Sequence, residues 1–411
     1  MPLACGCAGT EAPWCSRALA SAGGGAFLSA GTCESLADAL FSVNAAAFAS
    51  IPSPALKGCL WRLNRLEHFR SLLSAMGGTL LLGPSMRFAR QVLRLCTLLA
   101  VGTGVCASAE SSLTSVGASL PSRLYSEWFA RGANSGGAKI QHRSVGSVSA
   151  RWALIRQTVD LAVSTAPMQP RDLAKVRRGV VQIPVLAEAI AFAYNQPGCD
   201  LKLTQKQAVQ VASGMITDWE QLGCKPGAVT WVHRSDPSGI TNAFTLSMQA
   251  FSSQWSLGTG TLIRWPADNA LAAKGNSGVV AALQNKRGAI GYVGASGLGG
   301  GIRTAALENG SDEFIQPDGI SAAASLRSMQ LDSNLAGIDH NPSVDGSYPI
   351  VTLIWVLAYR SGNGIKTEAI RDTVDAMLSR QAQSRAEQLG LIPLNDELLS
   401  KSRAVVEWIG Q

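Results

Sequence analysis

Three segments of the chain place a small hydroxyl residue where a strand-like run gives way to a helix-like run. These residues are Ser119, Ser147 and Ser238. The first turn of a helix carries backbone N–H groups without helical partners and the positive end of the helix dipole. Three such ends that converge would bind a compact oxyanion, and each hydroxyl would add a donor. Each serine taken singly is more often an ordinary N-cap, so the prediction depends on their convergence.

A basic and an acidic residue stand just before the third of these helix starts. Arg234 and Asp236 precede Ser238 in the segment RSDPSG. A guanidinium is a planar fork that suits tetrahedral oxyanions, and the carboxylate would hold the fork in place and partly balance its charge. The alternative is an Arg–Asp pair at the surface of a turn, which would contribute little.

Short β-like runs alternate with helix-like runs from Leu113 onward, which predicts an α/β fold. Thr204 and Gln207 form a capping-box pattern, and Ile240 begins an apolar stripe at helical spacing. We expect another helix to run through Leu283 with Asn276 or Ser277 as its cap. The segments predicted to cross between two lobes are residues 180–184, 189–194 and 349–359.

The segment from Met86 has the pattern of a secretory signal peptide. Its basic part contains Arg87, Arg90 and Arg94, and its apolar part is residues 95–105. The small-x-small cleavage pattern is Ala107-Ser108-Ala109. The apolar part is far shorter than the roughly 20 residues that span a bilayer. Residues 1–85, rich in Ala, Ser and Gly, are either an extension upstream of a true start at Met86, which we favour, or a disordered leader.

Charge and cysteine content narrow the class of protein further. Residues 1–109 hold eight Lys or Arg and four acids, which leaves +3 of the net charge of +7 for residues 110–411. This mild charge suits a protein for small anions and gives no case for a nucleic-acid partner. Seven of the nine cysteines precede residue 110, and Cys199 and Cys224 remain. Two cysteines in an exported chain are either disulfide partners or two unpaired apolar residues.

Six segments occur in order from about residue 112 to the C-terminus. They are LTSVGASLPSRLY (113–125), RQTVDLAVSTAPM (156–168), WVHRSDPSGITNAF (231–244), GTGTLIRWP (258–266), KGNSGVVAALQNKRGAIGYV (274–293) and SYPIVTLIWVL (347–357). Together they closely resemble the periplasmic phosphate-binding proteins of bacterial ABC phosphate transporters, over essentially the whole chain after the signal peptide.

The resemblance implies a two-lobed periplasmic binding protein of type II, with two chain crossovers between the lobes. Lobe I would comprise residues 110–190 and 350–411, and lobe II residues 191–349. The implied function is to bind inorganic phosphate in the periplasm by lobe closure and to deliver it to an inner-membrane ABC permease. The implied protein is a monomer without catalytic residues, cofactor or metal.

The resemblance also implies the ligand contacts. The residues expected to bind phosphate are Ser119, Leu120 (through its amide), Ser147, Thr165, Arg234, Asp236, Ser238, Gly239 and Ile240 (through its amide). Three positions depart from the family pattern: Thr165 stands where the family usually has Asp, Ile240 where it has Thr, and residues 146–150 replace a GSSGG-like loop.

The Thr165 departure bears on selectivity. Phosphate at neutral pH keeps a proton that sulfate lacks, and an obligate acceptor such as a carboxylate repels the sulfate lone pair. Threonine both donates and accepts, so we expect weaker selectivity against sulfate, with Asp236 carrying more of the discrimination.

Two other functions fit parts of the sequence. A secreted phosphatase would use His233, Asp236 and Ser238, which lie too close in sequence for an obvious triad and lack a G-x-S-x-G elbow. A phosphate sensor, or a binder of another oxyanion, would keep the same fold and site. The sequence does not separate sensing from delivery.

Overall fold

The computed structural model describes residues 112–120, 124–129, 138–266 and 268–411. The predictions for the leader and the signal peptide, residues 1–109, lie outside the described residues. The strands are β1 Ser112–Gly117, β2 Lys139–Ser144, β3 Leu161–Ser164, β4 Val180–Asn195, β5 Lys202–Leu203, β6 Thr230–Arg234, β7 Ala270–Ala273, β8 Ala289–Gly294, β9 Arg303–Thr304, β10 Ala306–Glu308, β11 Phe314–Ile315 and β12 Val351–Tyr359.

Residues 124–129 are helical. The helices after them are α1 Ser147–Ile155, α2 Pro170–Leu173, α3 Gln205–Ala212, α4 Gly239–Phe251, α5 Gly275–Asn285, α6 Gly319–Ser325, α7 Thr367–Met377, α8 Arg380–Gln388 and α9 Asp396–Val406. Short 3-10 turns occur at Trp219–Leu222, Ala295–Gly297 and Gly364–Lys366. Among the described residues, no helix is both long enough and apolar enough to cross a bilayer.

One long strand joins the two halves of the main sheet, whose order is β2-β1-β3-β12-β4-β8-β6-β7, with β9 also beside β4. The first part of β4 pairs with β12 as far as Ala189 opposite Val351. From Ile190, which lies opposite Gly294, β4 pairs with β8 instead. The sequence predicted two separate apolar runs here, but they form one strand because the residues between them also pair with β12.

Each half of the sheet is an α/β unit of its own. In the first half β1 is parallel to both β2 and β3, and α1 connects β2 to β3. In the second half β6 is parallel to β7 and β8, with α4 and α5 as the connections. Helices α1, α4 and α5 therefore begin just beyond the carboxyl ends of β2, β6 and β7, where open α/β sheets bind their ligands. The predicted two-lobed α/β fold is confirmed.

Local helix signals were mostly interpreted correctly. The capping box of Thr204 and Gln207 opens α3, and the apolar stripe of α4 from Ile240 is buried. The predicted cap of α5 at Asn276 or Ser277 is wrong, because α5 begins at Gly275, after Lys274. The Gly275 N–H donates to Asp236 Oδ1 (2.8 Å), so a carboxylate from a distant loop satisfies the first turn.

The open question of the two cysteines is answered by the structure, which joins Cys199 to Cys224 in a disulfide. Cys199 lies between β4 and β5, and its carbonyl oxygen accepts a hydrogen bond from Tyr194 Oη (2.9 Å). Cys224 follows the 3-10 turn Trp219–Leu222. The bridge therefore ties the end of β4 to the loop before β6.

Candidate anion site

Four loops that are far apart in sequence surround one small cavity of about 10 Å³. Its lining residues are Ala118, Ser119, Leu120, Gly146, Ser147, Thr165, Arg234, Ser238 and Ile240. The predicted convergence of the three serines beside Arg234 is thus observed. The cavity is smaller than the roughly 300–1,000 Å³ of pockets for organic ligands. It therefore suits a compact anion.

The Ser147 loop is shaped by Gly146, whose φ of 85° places it in the left-handed region that favours glycine. The N–H groups of Val145 and Gly146 both donate to the Gly117 carbonyl (2.9 Å each), which fixes this loop beside the end of β1. Gly146 is the N-cap residue, so Ser147 is the first residue of α1 and its hydroxyl does not cap the helix. Instead Ser147 Oγ accepts from the Thr165 N–H (3.1 Å) and pairs with Thr165 Oγ1 (3.1 Å).

Thr165 lies in the loop after β3 and is 1% exposed. Its carbonyl oxygen accepts a hydrogen bond from Thr352 Oγ1 in β12 (3.1 Å). Gly239, the first residue of α4, packs directly against it: a Cβ added at Gly239 would lie 2.7 Å from the Thr165 carbonyl carbon. The site loop of the first half of the sheet therefore touches the helix start of the second half.

Ser238 is a true N-cap, as its spacing allowed. Its Oγ accepts from the Ile240 N–H (3.1 Å), and its own N–H donates to the Thr261 carbonyl (2.8 Å). The Ile240 amide, which we expected to face the anion, is therefore bonded to Ser238 in this structure. The Ile240 side chain is buried, and the residue still lines the cavity.

The Arg234–Asp236 pair is a two-bond fork rather than a loose surface contact. Arg234 Nε donates to Asp236 Oδ1 (2.8 Å) and Nη2 donates to Oδ2 (2.6 Å). Only 3% of the Arg234 side chain is exposed. Partial burial acts to raise the pKa of Asp236, but the Arg234 and Gly275 hydrogen bonds and the Arg234 charge hold it below its usual range. The alternative of a solvent-exposed pair is wrong for Arg234.

Asp236 supports the site without lining the cavity. Its carboxylate is already bound to Arg234 and to the Gly275 N–H, so it joins the starts of α4 and α5. The structure gives Arg234 Nη1 no hydrogen-bond partner among the described residues. Arg234 lines a cavity whose described lining residues include no carboxylate.

Sequence reasoning missed two residues that hold these groups in place. Thr352 supports Thr165 from β12, and Tyr292 Oη accepts from the Arg234 N–H (3.3 Å) while it pairs with Thr241 Oγ1 (2.8 Å). The sequence did hint at a supporting role for Thr352, since it is a polar residue within an otherwise apolar strand. Nothing in the sequence distinguished Tyr292, because Tyr is common in buried strands.

The residues that line the cavity are suited to binding an oxyanion. The cavity offers hydroxyl groups, loop amides and one cation, which together recognise the charge and shape of an oxyanion. The predicted phosphatase residues are not connected: His233 Nδ1 lies 3.0 Å from the Arg234 carbonyl oxygen, and the imidazole stacks on Trp265. Among the residues that the structure describes, no group of His, Cys, Asp and Glu is arranged to hold a metal ion.

Comparison with known proteins finds several phosphate-binding proteins, together with an alkaline phosphatase L of Pseudomonas aeruginosa that matches only 28% of this chain. The chain is 27% identical to a phosphate-binding protein PstS of Pasteurella multocida, over 71% of this chain and 89% of that protein. It is 28% identical to the PstS of Haemophilus influenzae, over 74% and 94%. A phosphate-binding protein structure from Stenotrophomonas maltophilia superposes with a TM-score of 0.61 at 21% identity, over 72% and 93%.

The two PstS relatives are phosphate-binding proteins by name, which confirms the resemblance that the sequence motifs indicated. A family model described as a PBP superfamily domain matches residues 104–376, well over half of the chain. The chain therefore belongs to the PBP superfamily.

Proposed function

We propose that this protein binds inorganic phosphate in the small cavity and delivers it to an inner-membrane ABC permease. The observation that carries the proposal is the cavity itself, which is lined by hydroxyl residues from four loops and by Arg234. Similarity to phosphate-binding proteins supports phosphate as the anion. The nine residues named from the sequence form the site: seven line the cavity, and Asp236 and Gly239 hold lining residues in place.

The proposed mechanism is closure of two lobes around the anion. Lobe I comprises residues 110–190 and 350–411, and lobe II residues 191–349. The switch of β4 from β12 to β8 at Ile190 supports the first boundary, and the start of β12 at Val351 supports the second. An anion between Ser147 of lobe I and Arg234 of lobe II would bridge both and shift the population to the closed form.

The proposed location is the periplasm, reached through a signal peptide at residues 86–109, with a monomer as the working form. N-terminal sequencing of the exported product tests this part: we expect a mature terminus near residue 110. A mature terminus upstream of Met86 would overturn it.

The proposal treats the protein as a carrier and not as a phosphatase. Ser238 Oγ accepts from the Ile240 N–H, and His233 Nδ1 lies against the Arg234 carbonyl oxygen instead, so His233 is not placed to activate Ser238 as a nucleophile. Sensing and delivery share this site, and phosphate uptake by cells that lack the protein separates them: uptake falls if the protein delivers phosphate and is unchanged if it only reports it.

The site is tested by calorimetric titration of phosphate into wild type and Arg234→Ala. Removing the guanidinium leaves Asp236 without its charged partner and the anion without its cation, a loss of about 3–5 kcal/mol. We expect affinity to fall by a factor on the order of 100 to 1,000 or more. Arg303→Ala is the matched control, because Arg303 forms an exposed pair with Asp200 (2.9 Å). Phosphate binding that survives Arg234→Ala intact would show that the pocket is assigned wrongly.

A further inference from the structure

A second cavity adjoins the anion cavity and is far larger. Its volume is about 380 Å³, against about 10 Å³ for the anion cavity, and Ser119 and Leu120 line both. A volume of this size falls within the roughly 300–1,000 Å³ that is usual for pockets of small organic ligands. The two cavities together therefore offer room for an anion that carries an organic group.

The second cavity, which we call the side cavity, has one apolar and one polar wall. The apolar wall comes from the first loop, the helical residues 124–129 and the segment after α8, and consists of Leu120, Leu124, Leu389 and Leu391. The polar wall comes from the first turn of α5 and the 3-10 turn after β8, and contains Asn276, Ser277 and Ser296. None of the described lining residues is charged. The side cavity therefore suits an uncharged group with carbon on one face and hydroxyls on the other.

A buried amide is fixed at the polar wall. Asn276 is only 6% exposed, and its Oδ1 accepts from the Gly294 N–H (3.2 Å). Its Nδ2 lies beside Gly297, where an added Cβ would be 2.9 Å away, and Gly297 also lines the side cavity. Since Oδ1 is already bound, the NH₂ group is the part of this amide that a ligand hydroxyl would meet.

The anion cavity does not require a proton on its ligand. Inorganic phosphate at neutral pH keeps one O–H, but a phosphate monoester dianion has none, because the organic group takes the place of that proton. A carboxylate in the Thr165 position would leave such an ester with an unfavourable lone-pair contact, whereas the Thr165 hydroxyl can donate. No described lining residue is a carboxylate, and both oxygens of Asp236 are bound by Arg234. The wall therefore suits a monoester as well as phosphate.

We propose that the protein also binds phosphate monoesters of small polyols, with the phosphoryl group beside Arg234 and the polyol chain in the side cavity. This inference rests on the proposed function, because it places the phosphoryl group where inorganic phosphate binds. The ester oxygen leaves the anion cavity beside Ser119 and Leu120, which line both cavities. The leucines cover the carbon side of the chain, and Asn276 with Ser277 binds its hydroxyls.

The test is calorimetric titration of the protein at pH 8 with inorganic phosphate, glycerol 3-phosphate and glycerol. At this pH the monoester is a dianion, because its second pKa is about 6. We expect glycerol 3-phosphate to bind wild type within about tenfold of the phosphate affinity, and glycerol not to bind. Propyl phosphate, which keeps the ester but lacks the hydroxyls, should bind about fivefold or more weakly than glycerol 3-phosphate, since the Asn276 NH₂ would lose its partner.

Filling the side cavity separates the two ligands. Ser277→Phe places a ring in the side cavity and changes no residue of the anion cavity. We expect the affinity for glycerol 3-phosphate to fall about tenfold or more, with the affinity for phosphate unchanged. Ser253→Phe is the matched control, because Ser253 is exposed after α4 and lines neither cavity, and it should bind both ligands as wild type does.

Thr165→Asp provides a second measurement that does not depend on packing in the side cavity. The new carboxylate would disfavour the proton-free ester more than phosphate. We therefore expect the ratio of phosphate affinity to glycerol 3-phosphate affinity to rise by about fivefold or more. This variant decides the matter if Ser277→Phe does not fold.

Wild-type protein that binds phosphate but not glycerol 3-phosphate would overturn the inference and leave the proposed function standing. Ser277→Phe that binds the ester as wild type does, or that loses both ligands equally, would also overturn it, as would an unchanged affinity ratio in Thr165→Asp. Failure of wild type to bind inorganic phosphate would instead refute the proposed function. The two failures are therefore distinguishable.

Discussion

Replacement of Gly239 by alanine is the sharpest test of whether the two halves close on the anion as proposed. A Cβ at this position would lie 2.7 Å from the Thr165 carbonyl carbon and 2.8 Å from its oxygen, and would also collide with Thr165 Oγ1. Two of these three atoms are backbone, so a side-chain rotation cannot relieve the overlap. Thr165 is itself fixed, because its N–H donates to Ser147 Oγ and its carbonyl oxygen accepts from Thr352 Oγ1. The halves would have to separate by about 0.7 Å to restore ordinary contact at 3.4 Å.

This overlap exists only while the loop of Thr165 touches the start of α4. Overpacking of this kind costs about 1–3 kcal/mol, which corresponds to a phosphate affinity about 5- to 150-fold weaker. We expect the open form to lack this contact, and alanine is a better helix former than glycine by about 0.5–1 kcal/mol. We therefore expect Gly239→Ala to bind phosphate poorly while its ligand-free stability stays the same or rises.

The assay pairs calorimetric phosphate titration with thermal unfolding of the ligand-free protein. Gly278→Ala is the matched control, because Gly278 is also helical and a Cβ there would meet Ala273 at an ordinary 3.7 Å. The control should bind as wild type does. Tight phosphate binding by Gly239→Ala would refute the reasoning, since it would mean that Thr165 and Gly239 do not approach each other in the bound state.

Two further predictions address selectivity and stability. Thr165→Asp should raise the preference for phosphate over sulfate by roughly 5- to 100-fold, because an unmatched buried lone pair costs about 1–3 kcal/mol. Competition calorimetry with both anions measures this preference, and an unchanged ratio of affinities would contradict the prediction. Cys199→Ser with Cys224→Ser should cost about 3 kcal/mol of unfolding free energy, since the bridge closes a loop with a sequence separation of 25, while leaving phosphate affinity unchanged. Denaturant unfolding with and without reductant checks the second, and identical midpoints would contradict it.

Local signals in the sequence were enough to predict much of the fold and the site. Ser147 and Ser238 each follow a strand and stand at a helix start, and the carboxyl ends of strands in one half of a sheet meet at one edge. The spacing of Arg234 and Asp236 by two residues within one loop allowed their pairing to be predicted. These features depend on residues that are neighbours in the chain.

Features that depend on contacts between residues far apart in the chain could not be predicted from the sequence. Glu188 and Thr352 meet only because β4 and β12 pair in one register, although 163 residues lie between them. The start of α5 was misjudged because its first N–H is bound by Asp236, which lies 39 positions earlier. The disulfide stayed open for the same reason: it requires Cys199 and Cys224 to approach within 5.3 Å between their Cα atoms.

The geometry also changes how selectivity for a protonated anion must be understood. The sequence suggested that Asp236 takes over the role of the carboxylate that Thr165 replaces. Asp236 does not line the cavity, and both of its oxygens are bound to Arg234, with Gly275 as a further donor. The described cavity wall has hydroxyl side chains and no carboxylate, and a hydroxyl can rotate to donate instead. We therefore expect such a site to accommodate sulfate as well as phosphate, with weaker discrimination than a site that has a carboxylate in the Thr165 position.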